Sequence, residues 1–127
     1  MNAKVIGYWL VTGLFCAGML MGGVFNLIGG EEVKKGMEEI GFPLYFARIL
    51  GFWKVAGVLA LLAPGFGLVK EWAYAGFVFN LTGAAACHFF AGHPVGEMTA
   101  PLILLALLVA SWFLRPESRK LPGLTLR

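Results

Sequence analysis

RILGFWKVAGVLALLAP occupies residues 48–64, and after Arg48 its only charge is Lys54. Extended back to Leu44, the run covers residues 44–63. A helix of about 20 residues is what it takes to cross roughly 30 Å of hydrocarbon. Composition supports that reading over a buried soluble helix. The chain has 127 residues, is 59% hydrophobic and 13% charged, and has a mean hydropathy of +0.80. A soluble domain carries about 25% charged residues. Length allows one domain. The net charge of +3 does not indicate nucleic acid. The basic residues sit at the edges of apolar runs, as at a membrane surface, and not on one face interleaved with aromatics.

Working outward, three more apolar segments can span: 5–28, 72–91 and 98–114. Turn chemistry separates them: Gly29-Gly30, Pro64-Gly65-Phe66-Gly67, Gly92-His93-Pro94 and Arg115-Pro116. The first segment exceeds the roughly 7–15 apolar residues of a signal peptide, so it is expected to be retained. Phe15 just before Cys16 argues against lipoprotein processing. Residues 31–43, EEVKKGMEEIGFP, read either as a short amphipathic surface helix or as a solvated loop. Residues 116–127 read as a flexible tail. Backbone polar groups in lipid must pair within the chain, so each span should be helical throughout. The expected fold class is all-α, an integral membrane four-helix bundle forming one domain over residues 1–127.

Four spans place both termini on one side, with Lys4, Lys70, Arg115, Arg119, Lys120 and Arg127. The other side holds Lys34, Lys35 and Arg48. The positive-inside bias therefore predicts an inner-membrane, multi-pass protein with both termini cytoplasmic.

At about 1.5 Å per residue, Lys54 lies roughly 15 Å deep, at the level of Asn80 in the third span. A charge there is costly and should face the interior or a wet cavity. Gly51 and Gly57, three residues either side, are expected to open space beside it. Asn80 and Thr82 are the candidate partners, and no acidic residue falls near the midplane. Lys54 is then either neutral or paired with backbone, water or a ligand oxygen. Mostly small residues recur at helical spacing in Gly18, Gly22 and Asn26, and again in Gly76, Asn80, Gly83, Ala84, Cys87 and His88, a pattern of close helix packing. Toward the outer side Asn26, Arg48, His88, His93 and Glu97 are placed to line a pocket if their helices are neighbours. Glu71, with Tyr74 nearby, lies at the inner interface, where Lys70 or Arg115 can pair with it.

Several chemistries have no support. There is no phosphate loop and no HExxH zinc motif. Cys16 and Cys87 form no CxxC, sit in apolar runs as packing residues, and differ in depth by roughly 10 Å, which disfavours a bridge. His88 and His93 are too close in sequence to be opposed haem ligands. No metal site and no catalytic residue are predicted.

Two stretches carry a resemblance. Lys70-Glu71-Trp72-Ala73-Tyr74-Ala75-Gly76 and Leu81-Thr82-Gly83-Ala84-Ala85-Ala86-Cys87-His88, with Gly51 and Lys54 in the second span, resemble the signatures of the DoxX-like family of small four-helix membrane proteins. The resemblance covers roughly residues 5–115. Family members often carry lysine at the position of Asn26, serine at Cys87, an acidic residue near Asn80, and aspartate at His93, so the pocket here is less charged. The resemblance implies a membrane part of a redox or thiol-stress complex. Two functions follow. In one, the chain is a non-catalytic subunit or anchor that binds a quinone in a pocket around Lys54, Asn80 and His88, beside lipid and a partner oxidoreductase. In the other, it is a scaffold or assembly factor without a small ligand, contacting another membrane protein or a second copy of itself. A transporter is less well supported, since no inverted repeat or broken helix is visible.

Overall fold

The computed structural model describes residues 2–119. These residues form five α-helices and one 3-10 turn, and no strand occurs among them. Helix α1 runs Ala3–Ile28, α2 Glu31–Ile40, α3 Leu44–Leu62, α4 Gly67–Phe90 and α5 Val95–Leu114.

Local chemistry sets the boundaries. Asn2 caps α1 by accepting from the Val5 amide at 2.9 Å. Gly29 ends α1 in the left-handed region at φ 68, with its N–H on the Phe25 carbonyl. The 31–43 segment is a helix and not a loop, ended at Ile40 by Gly41 at φ 84. Glu31 and Glu32 fill its first turn, where carboxylates complement the helix dipole. The third expected span begins five residues early, at Gly67 and not Trp72. That extra turn places Lys70 beside the end of α3.

Helix α1 packs on α3 and α5, α4 packs on α3 and α5, and α2 rests on α3. Phe15, Met19, Val58, Phe77, Leu81 and Leu108 meet in the centre. Phe15 and Phe77 pack edge to face at 5.0 Å. Glycine sets the closest helix approach. A methyl group built on Gly51 would lie 2.6 Å from the Gly23 carbonyl oxygen and 2.9 Å from the Leu27 nitrogen, so the backbones of α1 and α3 touch. On Gly57 it would lie 2.5 Å from the Phe77 ring. The positions that a side chain would take at Gly51 and Gly57 are therefore filled, by α1 backbone and by an aromatic ring. In the expected α4 stripe, Gly76 and Gly83 have nothing within 4 Å of such a methyl. That stripe does not support close packing in this structure.

The start of α1, the end of α3, the start of α4 and the end of α5 lie together. Lys70, only 1% exposed, donates from Nζ to the Ala60 carbonyl at 2.7 Å and also to the Ala63 carbonyl. Arg119 donates to Leu61 at 3.0 Å and Ala63 at 2.9 Å, and stacks on Trp9 at 4.7 Å. The last carbonyls of α3, which lack helical partners, thus receive two cations. Residues 117–119 form a docked 3-10 turn, Glu117–Arg119, in place of the expected flexible tail; residues 120–127 of that tail lie outside the described part. Lys70→Met removes two donors from this end and should cost about 1–3 kcal/mol. It should lower the thermal unfolding midpoint in detergent. An unchanged midpoint would mean that Arg119 suffices alone.

Two helices, Ala3–Ile28 and Leu44–Leu62, are long and apolar enough to cross a membrane, and only 28% and 22% of their apolar windows are buried. The apolar part of α5, Met98–Leu114, is shorter.

Candidate functional site: the cleft between α3 and α4

The seam between α3 and α4 holds a cleft of ≈ 530 Å³. Trp53 and Gly57 of α3 and Trp72, Gly76 and Phe77 of α4 make its walls. Lys54 and Asn80 supply polar atoms to this otherwise apolar space. The contact of α1 with α3 fixes the Lys54 side chain. Gly51 and Gly23 clamp α3 to α1, the Lys54 Cβ is 3.0 Å from a methyl built on Gly23, and Nζ is 3.9 Å from one built on Gly22. Stem and head both lie along α1, and Lys54 also lines the cleft. Among the described residues Lys54 and Asn80 have no hydrogen-bond or ion-pair partner, and they do not bond each other. Both residues are partly exposed.

The other expected site residues are distributed over separate contacts. Thr82 is exposed and donates to its own helix, to the Val78 carbonyl at 2.7 Å, instead of turning to Lys54. Asn26 abuts Gly51 in the α1–α3 seam, its Cβ 2.9 Å from a methyl built there. Arg48 is exposed and lies over Gly29, where such a methyl would meet Nε at 2.8 Å. His88 is not a lining residue of the α3–α4 cleft; its Nδ1 is 2.7 Å from that of His93. His93 Nε2 is 3.7 Å from Glu39 Oε2. The side chain of Glu97 lies outside the described part. Cys16 is buried, whereas Cys87 is only partly so, and both are free thiols.

A second polar cluster joins α1, α4 and α5 at the end where Lys70 and Arg119 sit. Thr12 and Ser111 share a hydrogen bond of 2.6 Å between their hydroxyls, and the Tyr74 hydroxyl reaches Ser111 at 2.8 Å. Trp112 donates from Nε1 to Glu71 Oε2 at 3.0 Å. Arg115, 2% exposed, holds Glu71 Oε1 at 3.2 Å, donates to the Trp112 carbonyl and covers the Trp112 ring at 4.1 Å. The 3.2 Å approach, from a terminal guanidinium nitrogen, is an ion pair without hydrogen-bond geometry; Glu71 Oε1 has no hydrogen-bond partner among the described residues, and neither has Arg115 Nε. Of the two cations adjacent to Glu71 in expectation, Arg115 is the one that pairs, because Lys70 is engaged by α3. Sequence reading did not find Thr12 or Ser111. A hydroxyl in an apolar helix usually bonds its own backbone, so composition offers no signal that two of them meet.

A family model described as DoxX-like family matches residues 10–111. The chain belongs to the DoxX-like family. No curated protein and no solved structure matches it. Family membership and the two long apolar helices support a small membrane protein. In this DoxX-like chain the residues of the KEWAYAG stretch bridge helices: Lys70 to α3, Glu71 and Tyr74 to α5. Those of the LTGAAACH stretch face the other end of α4, where His88 closes on His93.

Proposed function

We propose that this DoxX-like protein is a multi-pass inner-membrane protein with no catalysis of its own. Its α3–α4 cleft holds an apolar molecule with an oxygen head, of the quinone class, for a partner oxidoreductase. The observation that carries the reading is Lys54, a donor without a protein acceptor, opening on an apolar cleft beside Asn80. A carbonyl oxygen would accept from Nζ and from the Asn80 amide, while Trp53, Trp72 and Phe77 would flank a ring. His88 belongs to the other end of α4 and is left out of this site.

Four long helices in a membrane account for the outer surface. Leu14, Met21, Trp53 and Phe79 are 64%, 62%, 63% and 75% exposed. A soluble monomer rarely shows apolar patches of this extent. The start of α1 and the end of α5 carry Lys4 and Arg115 and lie on the same side as Lys70 and Arg119, and the positive-inside bias supports a cytoplasmic location for that side.

The test is purification in polymer discs from native membrane, with mass spectrometry of co-purifying molecules for wild type and Lys54→Met. The variant should lose more than about nine-tenths of a bound quinone. It should also match or exceed wild type in thermal stability, since a buried charge replaced by a similar apolar chain is often neutral or stabilising. Protein partners retained equally by both forms, with no small molecule in either, would favour a scaffold instead.

A further inference from the structure

The ends of α2 and α4 use the same backbone device with different side chains. At α2, Gly41 is left-handed, its N–H bonds the Glu38 carbonyl at 3.2 Å and the Phe42 N–H bonds the Met37 carbonyl at 2.9 Å. At α4, Gly92 is left-handed at φ 77, its N–H bonds Phe89 at 3.1 Å and the His93 N–H bonds His88 at 3.0 Å. This double bond brings the residue before the glycine loop and the residue after it side by side, and the pair is ordinarily apolar. Met37 and Phe42 fit that rule. His88 and His93 do not: two imidazoles meet there, Nδ1 to Nδ1 at 2.7 Å.

We propose that His88 and His93 form a two-imidazole site for one divalent transition-metal ion, zinc or copper(II), at the end of α4. Both Nδ1 atoms converge on one point, where a single proton is now shared. A metal ion takes both Nδ1 lone pairs once that proton has moved to Nε2 of the same ring, so both imidazoles stay neutral and no net proton is released. At metal–nitrogen distances of about 2.0–2.1 Å in a tetrahedral sphere, the two nitrogens stand about 3.3 Å apart. The rings need to part by about 0.6 Å relative to the hydrogen bond. His93 lies beyond the helix, so side-chain rotation can supply this. Glu39 of α2 stands at the other nitrogen of His93, 3.7 Å away. That is the placement of a carboxylate that orients a ligating histidine. Among the described residues no group of three His, Cys, Asp or Glu could hold a metal. Water or an external ligand must therefore complete the sphere. Two neutral imidazoles select zinc, copper(II) or nickel over magnesium and calcium.

The test uses untagged full-length protein in detergent, stripped with chelator and titrated with zinc chloride or copper(II) chloride. One equivalent should bind at micromolar metal. Copper(II) should give an electron paramagnetic resonance signal with coupling to two imidazole nitrogens. His88→Gln and His93→Gln should each weaken binding at least about tenfold, and Glu39→Gln about tenfold. His93→Gln lies outside the helix, so it keeps the test open should His88→Gln fold poorly. The proposal is overturned by the absence of binding at micromolar metal, by coupling to fewer than two nitrogens, or by unchanged affinity in folded His93→Gln. Any of these would leave the pair as a proton-sharing contact only.

Discussion

Gly51→Ala should lower the stability of the folded protein by about 3 kcal/mol, the upper part of the range for overpacked cores. The new methyl has no flexible side chain to displace. It meets the Gly23 carbonyl oxygen at 2.6 Å and the Leu27 nitrogen at 2.9 Å, so α1 and α3 must move apart as rigid bodies. Lys54 moves with them, because Gly23 holds its stem. The variant should therefore lose stability, and under the proposed function it should lose the quinone-class ligand with it. Gly76→Ala is the control: nothing lies within 4 Å of its added methyl. Alanine there is neutral or gains up to about 1 kcal/mol from helix propensity. Thermal unfolding of both variants in one detergent checks the pair of outcomes. Equal midpoints for Gly51→Ala and wild type would mean that α1 and α3 do not touch through backbone.

Arg115→Met should be as damaging or more so, at about 3–5 kcal/mol, the cost of removing one partner of a buried ion pair. Arg115 is 2% exposed, and among the described residues Glu71 has no other cation in contact. Losing the guanidinium leaves a carboxylate held by the Trp112 N–H alone and removes the cover over the Trp112 ring. Glu71→Gln combined with Arg115→Met should recover most of the loss, since no charge is then stranded. Arg115→Lys should recover little: one ammonium cannot reach Glu71 and the Trp112 carbonyl while lying flat on the ring. A double-mutant cycle by chemical or thermal unfolding measures the coupling. Additive losses would show that Glu71 and Arg115 do not act as a pair.

Helix positions were largely legible because each depends on neighbours in sequence. Apolar runs of the right length, broken by Gly29-Gly30, Pro64-Gly65 and Pro94, mark helices and turns without knowledge of what packs where. The start of α4 was misread because Lys70 and Glu71 look like the edge of a membrane span. In the structure they belong to a further helical turn whose charges are taken up by α3 and α5. The glycines show the same division. Gly51, Gly57 and Gly76 look alike in sequence. One meets backbone, one an aromatic ring and one open space.

The candidate site was partly legible. Lys54 and Asn80 share a depth because helical rise is constant, and they line the same cleft. Depth says nothing of rotation about the helix axis, which is why Thr82 reads as a partner of Lys54 although it bonds its own helix, and His88, further out on α4, takes His93. Tyr74, Thr12 and Ser111 come from three helices, and their meeting has no trace in any one of them.

What the amino-acid sequence determined by itself is the class of the protein: an all-helical, strongly apolar chain of DoxX-like type with one lysine out of place. Hydropathy, helical period and turn residues are local properties, and they suffice for that. The tertiary structure decided which polar groups are satisfied. Arg115 rather than Lys70 neutralises Glu71, α1 backbone rather than open space lies at Gly51, and Lys54 lines the α3–α4 cleft without a hydrogen-bond partner among the described residues. Partnering depends on how each helix is turned toward its neighbours. That rotation is set by the summed packing of all four long helices.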